Sequence, residues 1–191
     1  MREIVLYPAE ILRQKTEEIK SVDEKLLLEI EDLKKILKAG DNAAGLAAPQ
    51  IGVNKRFFGS KELGKGEVKI FVNPKIKKVY GEKIYPKIVD ENNKEEDFLE
   101  GCLSFPGYFG TVKRSLKIEV SWDEVVVAYG NTPVHLIKKN KILNGFEAIV
   151  WQHESDHLDG IVFIDHIKEE GGKFFKDVGG KMEKWNLRET F

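Results

Sequence analysis

Asn144 to Gly160 reads N-G-F-E-A-I-V-W-Q-H-E-S-D-H-L-D-G. Asn144 with Glu147 three residues on is a capping-box pattern, so the spacing predicts a helix from Asn144 to about Leu158, stopped before Gly160. Phe146, Ile149, Val150 and Trp151 lead into the motif and make this helix largely buried. His153 and His157 are four apart, so both imidazoles leave one helical face and can share one ion. Glu154 is turned about 100° from His153 and can touch that ion's water without being a ligand. This is an arrangement for metal-assisted hydrolysis.

Two histidines at helical spacing also occur as plain core or surface residues, so the third ligand decides the class. A metzincin-type site needs a histidine where this chain has Phe163. A thermolysin-like protease would use a downstream glutamate; Glu169 and Glu170 follow, but the chain then offers little more than a tail, with no second lobe to form a cleft. Cys102, the one cysteine, is the remaining candidate, and it excludes an intrachain disulfide. A lone thiol is more often an inert buried hydrophobe. This one lies in E-G-C-L-S-F-P-G, Glu100 to Gly107, a glycine-flanked turn that can present a thiolate and the following backbone N–H groups together. A thiolate and two imidazoles leave a fourth position open, as a catalytic site requires.

Outward from these segments, Leu26, Ile30, Leu33 and Leu37 recur at helical spacing. They predict an amphipathic helix over about Asp23 to Ala39, capped by Ser21 with Glu24 and ended by Gly40. Ala43 to Gly52, small residues with two glycines and a proline, reads as a tight loop. Short strands are expected at Arg56–Phe58 and Val68–Val72. Residues 75–97, lysine-rich and then acidic, read as an exposed excursion. Strands over Val112–Trp122 and Glu124–Tyr129, joined near Trp122-Asp123, suggest a hairpin, with a third strand near Pro133–Lys138. The tail from about residue 168 is charged and broken by Gly171-Gly172 and Gly179-Gly180, and has no clear pattern. Strands cluster before the motif helix rather than alternating with helices, so the expected class is α+β, in one catalytic domain over residues 1–191.

The charges nearly cancel, 31 basic against 32 acidic residues for a net of -1, so no bulk field draws the chain to nucleic acid or anionic lipid. No nucleic-acid motif is present. No apolar run reaches the roughly 18 residues of a membrane span, and the first residues carry no signal-peptide pattern. The expected setting is cytoplasmic.

The segments Ala43–Gln50 (A-A-G-L-A-A-P-Q), Glu100–Ser104 (E-G-C-L-S) and Gln152–His157 (Q-H-E-S-D-H) occur in this order. Together they resemble the three signatures of the peptide deformylases, G-x-G-L-A-A-x-Q, E-G-C-L-S and Q-H-E-x-D-H. Tyr7-Pro8, Ile11-Leu12-Arg13, Asn73-Pro74 and the run from Leu158 to Asp165 extend the likeness to about residue 167. The resemblance implies antiparallel sheets packed around a central helix that carries the H-E-x-x-H motif. It implies hydrolysis of the N-terminal formyl group of formylmethionyl nascent polypeptides, releasing formate. Cys102, His153 and His157 would then hold one divalent metal ion, iron(II) in the native state, with zinc, nickel or cobalt in purified protein. Glu154 would be the general base, and the Gln50 amide and Leu103 N–H would face the oxyanion. Gly45 would let substrate backbone lie against its loop. Phe146, Ile149 and Val150, with Phe98 and Ala44, would wall the methionine pocket, and Arg114 would pair with Asp156 behind the ligands.

Three readings follow: a deformylase, a zinc endopeptidase, or a catalytically silent relative that binds metal or formyl-peptides. A binding module needs neither Glu154 nor Gln50. The chain departs from the family pattern at Ala43, where the first glycine of the motif is expected, and in a longer excursion. Its tail gives no basis for docking on the ribosome through a C-terminal helix.

Overall fold

A computed structural model of the chain describes residues 2–40, 42–62, 66–89, 92–126 and 134–191. The periodic leucine run forms helix α1, Glu24–Ala39, with Leu26, Ile30, Leu33 and Leu37 buried. Its cap is Asp23, whose carboxylate accepts the Leu26 N–H at 2.7 Å, and not Ser21. Asp is as good an acceptor as Ser at this position and stands two residues nearer the first turn. Gly40 ends the helix at φ -87°, without the left-handed turn expected of it.

Ala43–Gly52 is more regular than its composition implies. Gly45–Ala47 form a short strand, β1, followed by a 3-10 turn over Ala48–Ile51 that closes on Gly52 at φ 73°. β1 pairs with β2 (Phe57–Ser60), which pairs with β3 (Lys69–Tyr80). The excursion therefore begins as ordered sheet. Residues 75–80 extend β3, because Ile76 and Val79 find Val120 and Ile118 as cross-strand partners. Lys87–Val89 (β4) and Glu95–Asp97 (β5) then pair as a two-stranded ribbon; Asp90 and Glu91 lie outside the described residues. Glu100–Gly101 (β6) and Tyr108–Gly110 (β7) flank the cysteine turn.

The expected turn at Trp122-Asp123 is absent. One strand, β8 (Lys117–Val126), runs straight through it and pairs along its whole length with β9 (His135–Asn144). The alternation of Ile118, Val120 and Trp122 carries on across the dipeptide, and β9 supplies a partner for each residue of it. The connection, residues 127–133, lies outside the described residues, and with it the expected ends at Tyr129 and Pro133. Helix α2 is Gly145–Leu158 and carries the motif. Asn144 stands at its N-cap without a side-chain bond, and Glu147 pairs with Lys141 rather than closing a box.

The tail is ordered. Val162 leads into α3, Phe163–Glu170, which ends on Gly171 at φ 70°. β10 (Phe174–Val178) and β11 (Lys181–Lys184) form a hairpin whose two turn residues, Gly179 and Gly180, both have positive φ. The glycines that break the pattern are thus the turns that shape it.

The result is an α+β fold of antiparallel sheets: β1-β2-β3-β8-β9, β11-β10-β7-β6 and the β4-β5 ribbon. The larger sheet is covered on both faces. Leu46, Phe57 and Val72 pack with α1, and their strand neighbours Ala47, Phe58 and Phe71 pack with Ala148, Trp151 and Leu158 of α2. The smaller sheet and α3 share a third cluster containing Phe105, Phe163, Ile167 and Phe174. Among the described residues, no helix is long and apolar enough to cross a membrane.

Asn73 shows how β3 is tied down. It has φ 48° and sits at a break in the β3–β8 register. Its amide accepts the Ile19 N–H and donates to the Ile19 carbonyl, both at 2.8 Å, and donates to Asp123 at 2.9 Å. Asn73→Ala is expected to lower unfolding free energy by about 1–3 kcal/mol, the cost of stranding these backbone groups. Asn73→Gly should not recover it in denaturant melts, although glycine relieves the backbone. Recovery by glycine would show that conformation, not the clamp, matters.

Candidate metal centre and active site

α2 and the turn after β6 bring three ligand atoms together: those of Cys102, His153 and His157 lie within 4.8 Å of one another. Cys102 Sγ is 3.2 Å from His157 Nε2 and accepts a hydrogen bond from Gln50 Nε2 at 3.3 Å. His153 Nδ1 is engaged by Glu100 at 2.9 Å, which leaves Nε2 for the cluster. One thiolate and two imidazoles, with no carboxylate among them, are a donor set for zinc, iron, cobalt or nickel rather than magnesium or calcium. Burial opposes a charged thiolate, yet the imidazoles of His157 and His153 more than offset it and hold the Cys102 thiol at about 5. Burial likewise opposes a charged His153, and bonds to Cys102 and Glu100 raise it well above the usual imidazole range. The residues fit a resident metal ion.

Glu154 lies beside this cluster, 3% exposed, and its Oε2 has no partner among the described residues. Burial raises its carboxyl to about 7, against the pull of both histidines. Gln50 faces the same point with its orientation fixed. Its Oε1 accepts the Ala47 N–H at 2.8 Å, which turns Nε2 toward Cys102 and Ser104.

Behind this cluster is a buried ionic chain. Arg114, 2% exposed, grips Glu100 through Nε (2.7 Å) and Nη2 (3.0 Å) and Asp156 through Nη1 (2.6 Å). Burial opposes both carboxylates, but Arg114 holds Glu100 at about 2, and His166 and Arg114 hold Asp156 at about 2.

A cavity of about 460 Å³ opens over the cluster. Ala44, Gly45, Gln50, Phe98, Cys102, Leu103, Phe146, Ile149, Val150, His153 and Glu154 all line it. The rings of Phe98 and Phe146 meet edge to face at 5.9 Å. Arg114, Asp156 and His157 are not in its lining and stand behind it.

Three groups were not assigned roles from sequence. Glu100 is two residues before Cys102 on an extended segment, a spacing that puts both side chains on one side and could have flagged it. Tyr108 and Phe109 also line the cavity. His166 had no signal at all.

Two motif positions gain a physical reason. Ala43 does not have a positive φ, so alanine replaces glycine without backbone strain, and it lies buried. Gly45 is needed to make room for Glu154: a Cβ there would lie 2.3 Å from Glu154 Oε1 and 2.8 Å from its Cγ.

The family model for polypeptide deformylase matches residues 1–173. The chain belongs to the polypeptide deformylase family. It is 33% identical over 174 residues to the peptide deformylase of Dehalococcoides mccartyi (strain CBDB1), covering 89% of this chain and 88% of that one. It is 36% identical over 169 residues to that of Desulforudis audaxviator, covering 85% and 91%. The crystal structure of the Thermotoga maritima peptide deformylase superposes with a TM-score of 0.68 at 30% identity, covering 87% of this chain and 97% of that one. Family membership makes this chain a hydrolase that uses a single metal ion.

Gly45→Ala is expected to cut kcat by about tenfold to a hundredfold, since small misplacements of a reacting group have effects of that size. Metal content and melting temperature should change little, because the atoms met belong to one side chain. Unchanged kcat would show that Glu154 has another productive position.

Proposed function

We propose that Glu154, Gln50 and Leu103, working over a metal held by Cys102, His153 and His157, remove the N-formyl group from formylmethionyl nascent chains. The observation that carries the assignment is the buried Glu154 carboxyl, one oxygen unpartnered, beside a converged thiolate–imidazole set at the floor of an apolar cavity. A divalent ion bound there supplies Lewis acidity, lowering the pKa of water toward neutrality and polarising the formyl carbonyl. The native ion is iron(II), and zinc, nickel or cobalt can replace it in purified protein.

Glu154 accepts a proton from the attacking water and returns it to the leaving amine, so the C–N bond breaks as formate and a free amino terminus form. A carboxyl poised near neutrality serves both transfers. The Gln50 Nε2–H and the Leu103 N–H stabilise the oxyanion, each such donor being worth about 3–4 kcal/mol. Gln50 needs no reorganisation, because Ala47 already holds its amide.

The methionine side chain enters the apolar wall formed by Phe146, Ile149 and Val150, with Phe98 and Ala44 closing the sides. The peptide backbone lies between two sheet edges. β1 is the outer strand of the larger sheet and β6 of the smaller, and Gly45 and Gly101 from them line the cavity. Outer strands leave N–H and C=O groups unpaired on one side, so an extended peptide is read through its main chain. Residues 1–191 act as one catalytic domain, in the cytoplasm, where chains leave the ribosome.

In iron(II)-loaded protein kept anaerobic, formate release from formyl-Met-Ala-Ser is expected in the wild type, with Glu154→Ala slower by about 10²- to 10⁴-fold and its metal retained. A folded, loaded wild type that releases no formate would favour the silent-relative reading. Cleavage of unformylated peptides would favour the endopeptidase.

A further inference from the structure

His166 is outside the three signature segments and does not touch the cavity. It lies on α3, its side chain 13% exposed, and its Nε2–H donates to Asp156 Oδ2 at 2.8 Å. The same oxygen accepts Arg114 Nη1 at 2.6 Å. Arg114 then holds both oxygens of Glu100, and Glu100 engages His153 Nδ1 at 2.9 Å. His166 is therefore the outer end of an unbroken polar chain whose inner end is a ligand imidazole. We propose that His166 is a positioning residue for the metal centre, fixing the Asp156 carboxylate so that Arg114 and Glu100 hold the His153 ring in its ligating orientation. The proposal rests on the reading of Cys102, His153 and His157 as ligands.

The argument is geometric. The Asp156 side chain is 20% exposed, whereas Arg114 and Glu100 are 2% and 4% exposed. Of the three links between the two histidines, Asp156 is thus the one most open to water. A carboxylate that can hydrate instead of pairing lets the arginine fork tilt. His166 takes one hydrogen-bonding position on that carboxylate, in place of water, from a helix that is itself anchored, since Phe163, Ile164 and Ile167 of α3 are buried in the third core cluster. Asp156 also stands between the two histidine ligands on α2, so its setting bears on both.

The test uses three variants of the full chain loaded with cobalt(II). His166→Gln keeps an N–H donor of similar reach; His166→Leu removes it; His166→Asn keeps polarity but is too short. The readouts are the visible cobalt spectrum, the rate of metal loss to a chelator, melting temperature, and kcat against KM. Partners of metal ligands typically matter 10- to 100-fold, and at His166, three links beyond Glu100, the expected effect is smaller, about three- to tenfold. His166→Leu and His166→Asn should lose metal faster by that factor, with shifted cobalt bands and lower kcat at unchanged KM. His166→Gln should resemble wild type. If His166→Leu does not fold, the contrast of Asn with Gln decides. A lower melting temperature with wild-type spectrum and metal loss, or Gln and Asn behaving alike, would overturn the proposal in favour of a simple tie between α3 and α2. Should wild type release no formate while metal loss still follows the residue at 166, the deformylase assignment fails and the positioning role stands.

Discussion

A guanidinium buried to 2% exposure must be paired, and the pairing of Arg114 decides how the two sheets meet. Its fork spans Glu100 on β6, from the smaller sheet, and Asp156 on α2, the helix that covers the larger one. Its backbone is pinned as well, exchanging hydrogen bonds with Ile84 at 2.8 and 3.0 Å. Removing one partner would leave a buried charge uncompensated, a loss of about 3–5 kcal/mol in comparable cases. The same ion pairs set Cys102, two residues beyond Glu100, against His153 and His157. A hydrophobic replacement could hold the sheets together as well or better, but it could not orient an imidazole. The ionic solution is explained by the site it supports.

Close approach is the second constraint. Gly59 lets α1 sit on the sheet, since a Cβ there would come 2.6 Å from Leu33 Cδ2. Gly101 lets the Phe109 ring cover β6, where a Cβ would come 2.7 Å from the ring. Gly45 makes room for Glu154. In each case a missing methyl on one element is filled by a side chain from another, so three glycines that look interchangeable in sequence make room for a helix, a cavity wall and the Glu154 carboxyl.

The parts legible in sequence were those governed by local rules. The leucine period announces α1, and the four-residue spacing of two histidines announces that α2 brings both imidazoles to one side. Phe146, Ile149 and Val150 followed from the motif helix, whose preceding turns face the same cavity, while Tyr108 and Phe109 on β7 did not. What stayed hidden depends on partners remote in the chain. β8 runs through Trp122-Asp123 because β9 pairs with it throughout, and β3 extends past residue 75 because Ile118 and Val120 wait opposite. The glycines of the tail looked like interruptions until the hairpin gave them a left-handed turn to occupy. Asp23 outcompeted Ser21 over a distance of two residues, below the resolution of any pattern. Ala43 looked like a departure from the motif and proved to need only small size. His166 reaches Asp156 across a helix–helix contact that no spacing encodes.

The chemistry of the site rests on three carboxylates kept in different states by their surroundings. Glu100 and Asp156 have cationic partners that outweigh burial, and both remain charged down to about 2. Glu154 is as buried but faces the cluster without a hydrogen-bonded cation, so burial dominates and holds it at about 7. Separating carboxyl groups in this way gives some a fixed charge and suits another to the proton transfer proposed for Glu154. The separation needs Arg114 to be near enough to Glu100 to anchor His153 yet screened from Glu154. The fold meets both demands by placing the guanidinium behind the Cys102, His153 and His157 cluster and Glu154 on its cavity side. Were the arginine on the cavity side, Glu154 would be a charged structural carboxylate like the others, and the same H-E-x-x-H sequence would lack a base matched to neutral pH.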